Sequence, residues 1–163
     1  MSDTPLQKDS VSVQEADFDV GAEIAALSVG RADVGAVASF VGLVRADKLS
    51  GEGSEVSAMT LEHYPGMTEK SLEAIVTEAY GRWSLLGTRV IHRFGRLVPG
   101  DRIVFVGVAS SHRGDAFAAC EFIMDYLKTR APFWKKEDTP EGGRWVDARE
   151  ADDDAASRWE AWD

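Results

Sequence analysis

Hydrophobic positions in this chain gather into short continuous runs and into stretches with helical spacing, and the two kinds alternate. Residues 36–44 (AVASFVGLV) form an apolar, β-rich run that predicts a buried strand, and residues 103–109 (IVFVGVA) give the strongest strand signal in the chain. Residues 56–63 and 89–94 read as further strands. Between them, Leu72, Ile75, Val76 and Ala79 recur at helical spacing and predict a helix over about 68–83, with Thr68 as its N-cap. Ala116, Phe117, Cys120, Ile123, Met124 and Leu127 form the apolar stripe of a long helix over about 113–129, which Pro132 stops because the residue before a proline avoids the α region.

Weaker signals complete the outline. Residues 20–27 predict a short helix, Trp145-Val146 a short strand, and Trp159 and Trp162 the anchors of a last helix. Pro65-Gly66 and Pro99-Gly100-Asp101 are turns, and the charged, Gly/Ser-rich stretch 45–55 is a loop. There is no internal repeat. The expected organisation is a flexible N-terminus over 1–16, one domain over 17–150 and an acidic tail over 151–163. Mixed strands and helices, with a tight turn joining two strands, predict an α+β fold with a largely antiparallel sheet.

Composition narrows the function classes. The 163 residues carry 18 basic and 28 acidic side chains, for a formal charge of −10, which argues against nucleic acid as the main partner. Apolar content of 44% and five tryptophans fit a packed core rather than disorder. The single cysteine, Cys120, allows no intrachain disulfide and no cysteine-based zinc site, which suits a reducing, cytoplasmic location. The first ten residues lack the basic start and apolar run of a signal peptide, and no apolar run approaches the roughly 20 residues of a membrane span.

Against this acidic background, residues 126–137 (YLKTRAPFWKKE) stand out. Lys128, Arg130, Lys135 and Lys136 surround an Ala-Pro-Phe-Trp turn, which suggests an anion pocket in which cations depress one another's pKa. The alternative is a solvated helix end whose cations complement the C-terminal dipole. Ser110-Ser111-His112-Arg113 lies where the strongest strand meets a helix start, a place suited to phosphate, with Arg113 as a bidentate donor and His112 as donor or proton shuttle. Its alternative is an N-cap serine followed by two solvated polar residues. Fifteen residues separate Arg113 from Lys128, so a straight helix holds them about 22 Å apart. Arg45, at the end of a buried strand, can point into a cleft, or simply mark the strand end. His63 and His92 read as structural, Cys120 as a small buried hydrophobe, and Glu62 as an ion-pair candidate. No P-loop, dinucleotide fingerprint or H-E-x-x-H motif is present, and no metal site is expected.

Residues 40–45 (FVGLVR), 61–70 (LEHYPGMTEK), 91–95, 100–113 (GDRIVFVGVASSHR) and 122–137 (FIMDYLKTRAPFWKKE) together resemble the large subunit of molybdopterin synthase. The resemblance covers most of residues 35–150 and runs in family order. It implies an α/β hammerhead-type fold and a homodimer flanked by two small ubiquitin-like sulfur-carrier subunits, forming a heterotetramer. Each carrier would supply sulfur as a C-terminal thiocarboxylate, so no resident cofactor is expected. The substrate would be cyclic pyranopterin monophosphate, converted to the dithiolene of molybdopterin. By the same resemblance Lys128 and Lys135 are the catalytic residues. The substrate-binding set is Leu43, Val44, Arg45, His112, Arg113, Lys128, Lys135, Lys136 and Glu137. Lys128 could stabilise developing negative charge, act as acid–base, or bind the carrier's terminal carboxyl group. Rival readings are a non-catalytic adaptor for a ubiquitin-like protein and another enzyme of phosphorylated metabolites.

Overall fold

The run 103–109 becomes the central strand of the chain. The computed structural model describes residues 10–46, 57–139, 142–146 and 150–160. In chain order its elements are β1 (Val11–Gln14), α1 (Val20–Ala26), β2 (Ala36–Leu43), β3 (Ala58–His63), α2 (Met67–Arg82), β4 (Gly87–Arg93), β5 (Gly95–Leu97), β6 (Arg102–Ser110), α3 (Arg113–Arg130), β7 (Phe133–Thr139), β8 (Gly142–Val146) and α4 (Glu150–Glu160). They build one domain with two four-stranded sheets, ordered β1-β4-β6-β2 and β5-β3-β7-β8. Every strand pair is antiparallel except β1 with β4. The α+β, antiparallel-rich expectation therefore holds.

β6 reads as a continuous apolar run because both of its faces are covered. Val104, Val106 and Val108 join Ala116, Ala119, Cys120, Phe122, Ile123 and Leu127 of α3 in the main core. On the other face Phe105 packs with Phe18 and Ile91 beneath Val20 and Ile24. Gly107 permits this close approach: a Cβ there would stand 2.6 Å from Leu27 Cδ1.

α3 leaves β6 at Ser110 and returns along it. The Cys120 thiol, seven residues into the helix, faces the carbonyl of Val106, four residues before the strand's end. The two distances agree, at roughly 10 Å of helix and roughly 13 Å of strand. The helix thus carries its last turn back towards the beginning of β6. Phe117, expected on the buried stripe, is instead 66% exposed, and Phe122 and Tyr126 fill the core in its place.

Three other expectations are corrected. Residues 11–14, assigned to a flexible start, form β1, because Val11 and Val13 alternate onto the main core and the backbone pairs in parallel with Val90 to Arg93 of β4. Four residues are too few for that alternation to be read beside polar neighbours. Thr68 does not cap α2. Gly66 does, at a positive φ of 86°, while the fully buried Thr68 hydroxyl accepts from the Tyr64 amide at 3.0 Å and donates to the Pro132 carbonyl at 3.0 Å. The segment after Pro132, read as a turn, is strand β7, paired with β3 from Ala58↔Asp138 to His63↔Phe133. Residues 1–9, the loop positions 47–55, Val56 and Trp162 lie outside the described residues.

The acidic tail forms α4, which docks on α3. Trp159 is buried edge-on against Trp83 and Phe122, with ring centroids at 5.6 and 5.7 Å. Its indole Nε1 donates to Asp125 Oδ2 at 2.7 Å, and Arg158 bridges Asp125 and Glu121. Loss of a buried tryptophan of this kind costs about 3–5 kcal/mol, against about 1 kcal/mol for a typical hydrogen bond. Trp159→Ala is therefore expected to lower the unfolding free energy in urea by that larger amount, and Asp125→Ala by distinctly less. Equal effects would mean that the polar contacts, not the ring, hold α4.

Candidate functional site: the two ends of helix α3

The four cations of residues 126–137 do not form one cluster. Arg130 stacks over the Tyr126 ring, 3.7 Å from its centroid, and pairs with Glu78 and Glu160 at 3.7 Å each, so it faces α2 and α4. Strand alternation sends Lys136 to the outer face of the second sheet, between Trp134 and Asp138 and opposite Trp145. Lys135 shares the other face of β7 with Phe133 and the fully buried Glu137. Lys128 sits exposed in the last turn of α3. The two lysines left at this end are those the resemblance marks.

Arg45 follows β2, which runs antiparallel to β6 with Ala36 opposite Ser110 and Leu43 opposite Arg102. It therefore lies beside the start of β6, the end to which α3 returns with Lys128. Leu43 is 53% exposed, but Val44 is buried with Met59, Leu61 and Leu97. Both backbone groups of Val44 are engaged, the amide with Asp101 and the carbonyl with Gly100. Its side chain lies in the core.

His112 and Arg113 stand at the opposite end. His112 occupies the N-cap position with extended backbone (φ −134°, ψ 150°) and makes no side-chain capping bond. The serine-cap alternative fails, because Ser110 Oγ donates to the Ser84 carbonyl and Ser111 Oγ to the Asp33 carbonyl. Both His112 and Arg113 are exposed. α3 runs without a break over 18 residues. Within one chain, then, the expected site residues fall into two groups: Leu43, Arg45, Lys128 and Lys135 at one end, His112 and Arg113 at the other.

His92, read from the sequence as structural, is buried, and its contacts lead towards the Lys128 end. It lies in β4, is 4% exposed, and stacks on Phe133 with centroids 3.7 Å apart and planes 20° apart. Its Nδ1 is 2.8 Å from the Arg93 carbonyl, which can only accept, so the neutral ring carries its proton on Nδ1. Burial pulls its pKa down to about 3, and the charges of Lys128 and His63 push the same way. His63 packs on Phe94 with centroids 4.2 Å apart and planes tilted by 34°, and faces Glu69 across 3.8 Å. An isolated histidine in an apolar strand carries no signal of such a partner. Only the fold brings Phe133 onto it.

Cys120 is buried, and burial raises its thiol to about 11, with Glu121 adding to the shift, so it is not set up as a nucleophile. Among the described residues no group of three His, Cys, Asp or Glu side chains could hold a metal ion. Among the same residues no helix is long and apolar enough to cross a membrane.

A small α+β protein whose central helix carries cationic groups at both ends defines a class suited to anionic ligands. Comparison with known proteins gives the family. Residues 13–130 match the profile of the MoaE protein, and the chain belongs to that family. It is 64% identical over 150 residues to the molybdopterin synthase catalytic subunit of Ralstonia nicotianae, covering 92% of this chain and 84% of that one. To the subunit of the same name from Escherichia coli it is 61% identical over 142 residues, covering 87% and 92%. Among solved structures, the molybdopterin biosynthesis MoaE protein of Burkholderia ambifaria superimposes with a TM-score of 0.78 at 57% identity, over 93% of this chain and 97% of that one. A molybdopterin synthase structure from Staphylococcus aureus does so with a TM-score of 0.76 at 29% identity, over 83% and 96%.

The buried histidine yields a stability prediction. The unfolded chain protonates His92 near 6.5, while the native chain resists until about 3. Between those values the unfolded state binds a proton that the native state does not, so stability falls as pH drops through this window. The full span amounts to roughly 5 kcal/mol. Asp17, held down to about 2 chiefly by its hydrogen bond from Arg102, loses its contribution only below the ordinary carboxylate range. Urea midpoints measured from pH 7 to pH 4 are therefore expected to fall in the native sequence and to flatten in His92→Phe. An unchanged slope in that variant would remove His92 as the cause.

Proposed function

We propose that this chain is the catalytic subunit of a molybdopterin synthase. In this reading it transfers sulfur from a thiocarboxylated, ubiquitin-like carrier subunit to cyclic pyranopterin monophosphate and forms the dithiolene of molybdopterin. The observation that carries the reading is the meeting of Arg45, Lys128 and Lys135 at one end of α3, in a chain more than 60% identical to proteins of that name. The substrate is anionic, so guanidinium and ammonium groups supply its counter-charge. Lys128 stabilises the negative charge that develops at the reacting carbonyl and sulfur. Lys135 adds a second cation on the facing strand. Sulfur arrives on the partner, so no cysteine or resident cofactor of this chain takes part, and the reaction belongs in the cytoplasm.

His112 and Arg113 complete a site only if a second copy of the chain supplies them. A straight α3 keeps Arg113 about 22 Å from Lys128, too far for one small ligand. A symmetric homodimer, carrying one small subunit on each protomer, places the His112-Arg113 end of one protomer against the Lys128-Lys135 end of its partner.

Lys128→Ala is expected to abolish dithiolene formation while fold and carrier binding survive, whereas Lys135→Ala is milder. Single-turnover assays with thiocarboxylated carrier and the cyclic pterin precursor decide this, and near-normal turnover in Lys128→Ala would sink the assignment. Arg113→Ala is expected to weaken substrate affinity with little effect on carrier docking, measured by calorimetry. A reversed pattern would refute that division of roles.

The shared site has its own test. Mixing Arg113→Ala chains with Lys128→Ala chains gives mixed dimers with one intact and one doubly altered site. Activity is expected to recover to about a quarter of the native level in a statistical mixture, since about half the dimers are mixed. No recovery, with subunit exchange verified by mass spectrometry, would place the whole site within one chain.

A further inference from the structure

The link from Lys128 to Lys135 is short, and it is pinned at two places. α3 ends at Arg130, Ala131 and Pro132 follow, and β7 begins at Phe133. The first pin is the Thr68 hydroxyl, which is buried and donates to the Pro132 carbonyl at 3.0 Å. The second is the stack of Phe133 on His92. β4, which carries His92, is hydrogen-bonded on both sides, to β1 and to β6, and so offers a rigid base. The bond from Nδ1 to the Arg93 carbonyl fixes the plane of the imidazole. Phe133 and Lys135 lie two residues apart on one face of β7, so the position of the stacked ring sets the position of the lysine.

We propose that His92 is a positioning residue of the sulfur-transfer site: by holding Phe133 it fixes where Lys135 stands relative to Lys128. The inference rests on the assignment of those two lysines to catalysis. The neutrality of the buried ring fits the role, since a charged imidazole would repel the Lys128 ammonium. A misplacement of about 1 Å in such a constellation costs on the order of a hundredfold in rate.

The test uses the complete enzyme with its thiocarboxylated carrier and measures kcat, KM and carrier affinity. His92→Ala is expected to lower kcat at least about tenfold, with KM and carrier affinity within about threefold of native. His92→Phe, which keeps an aromatic face under Phe133, is expected to recover kcat to within about threefold. In a double-mutant cycle, His92→Ala and Phe133→Leu are expected to be non-additive, because each breaks the same stack. The proposal is overturned by a native kcat in folded His92→Ala, by equal losses in folded His92→Phe and His92→Ala, or by additive losses in the cycle.

If His92→Ala does not fold, Phe133→Leu breaks the same stack from its other side and leaves His92 in place. It is expected to lower kcat with KM unchanged, and a native kcat there overturns the proposal. Lys128→Ala and Lys135→Ala are run in parallel. Retained activity in both would refute the assignment of the lysines, whereas loss in both with no effect at His92 would refute only the positioning role.

Discussion

An 18-residue helix laid back along a nine-residue strand sets the geometry of this chain. The two have nearly equal length, roughly 27 Å of helix against roughly 30 Å of strand, so α3 covers one face of β6 from end to end. Packing fixes the helix in place, because Ala116, Ala119, Ile123 and Leu127 are all buried against the sheet. Chemistry is thereby pushed to the tips. One tip carries His112 and Arg113, the other Lys128, and no local flexibility can bring them together without unpacking the core.

Aromatic contacts join the second sheet to the first at the Lys128 tip. Phe133 of β7 lies on His92 of β4, and His63 of β3 lies on Phe94, just beyond β4. His63 and Phe133 are register partners, so both contacts sit at one corner. This corner explains how a segment as charged as FWKKEDT holds a strand. Phe133 and Glu137 are turned inward and Trp134 and Asp138 outward, with backbone partners on both sides from β3 and β8. Pairing and a single aromatic anchor outweigh a low intrinsic strand preference.

The parts of the fold legible in the sequence were β2, β6, α2 and α3, with long, clean periodicity, and α1, β3 and β4 from shorter runs. β1 and β5 were missed because four and three residues cannot show a period, and β7 because its inward face alternates an aromatic, a lysine and a glutamate. The site was legible as a set of residue types but not as an arrangement. Cation density along 126–137 suggested one cluster, whereas a helix end and a strand disperse those side chains in different directions. Val44, which the resemblance includes in the substrate-binding set, turns its side chain into the core with Met59, Leu61 and Leu97. The stack of His92 was invisible for a simpler reason: its partner, Phe133, lies 41 positions away in another sheet.

The acidic balance of the chain also has a positional meaning. Glu78 and Glu160 draw Arg130 sideways, and Glu121 and Asp125 hold Arg158. Such exposed pairs contribute little stability one by one, about 0–1 kcal/mol each. Their effect is directional. They join α2, α3 and α4 around the final turns of α3, reinforcing the burial of Trp159 that carries most of the energy. They also turn the Arg130 guanidinium towards the helical side, away from the face where Phe133 and Lys135 lie. The last turn of α3 is then braced by helices on one side and by the His92–Phe133 corner on the other. A long, flexible lysine can serve a defined geometry only on a backbone held in this way, which is why acids remote from any ligand matter to where Lys128 stands.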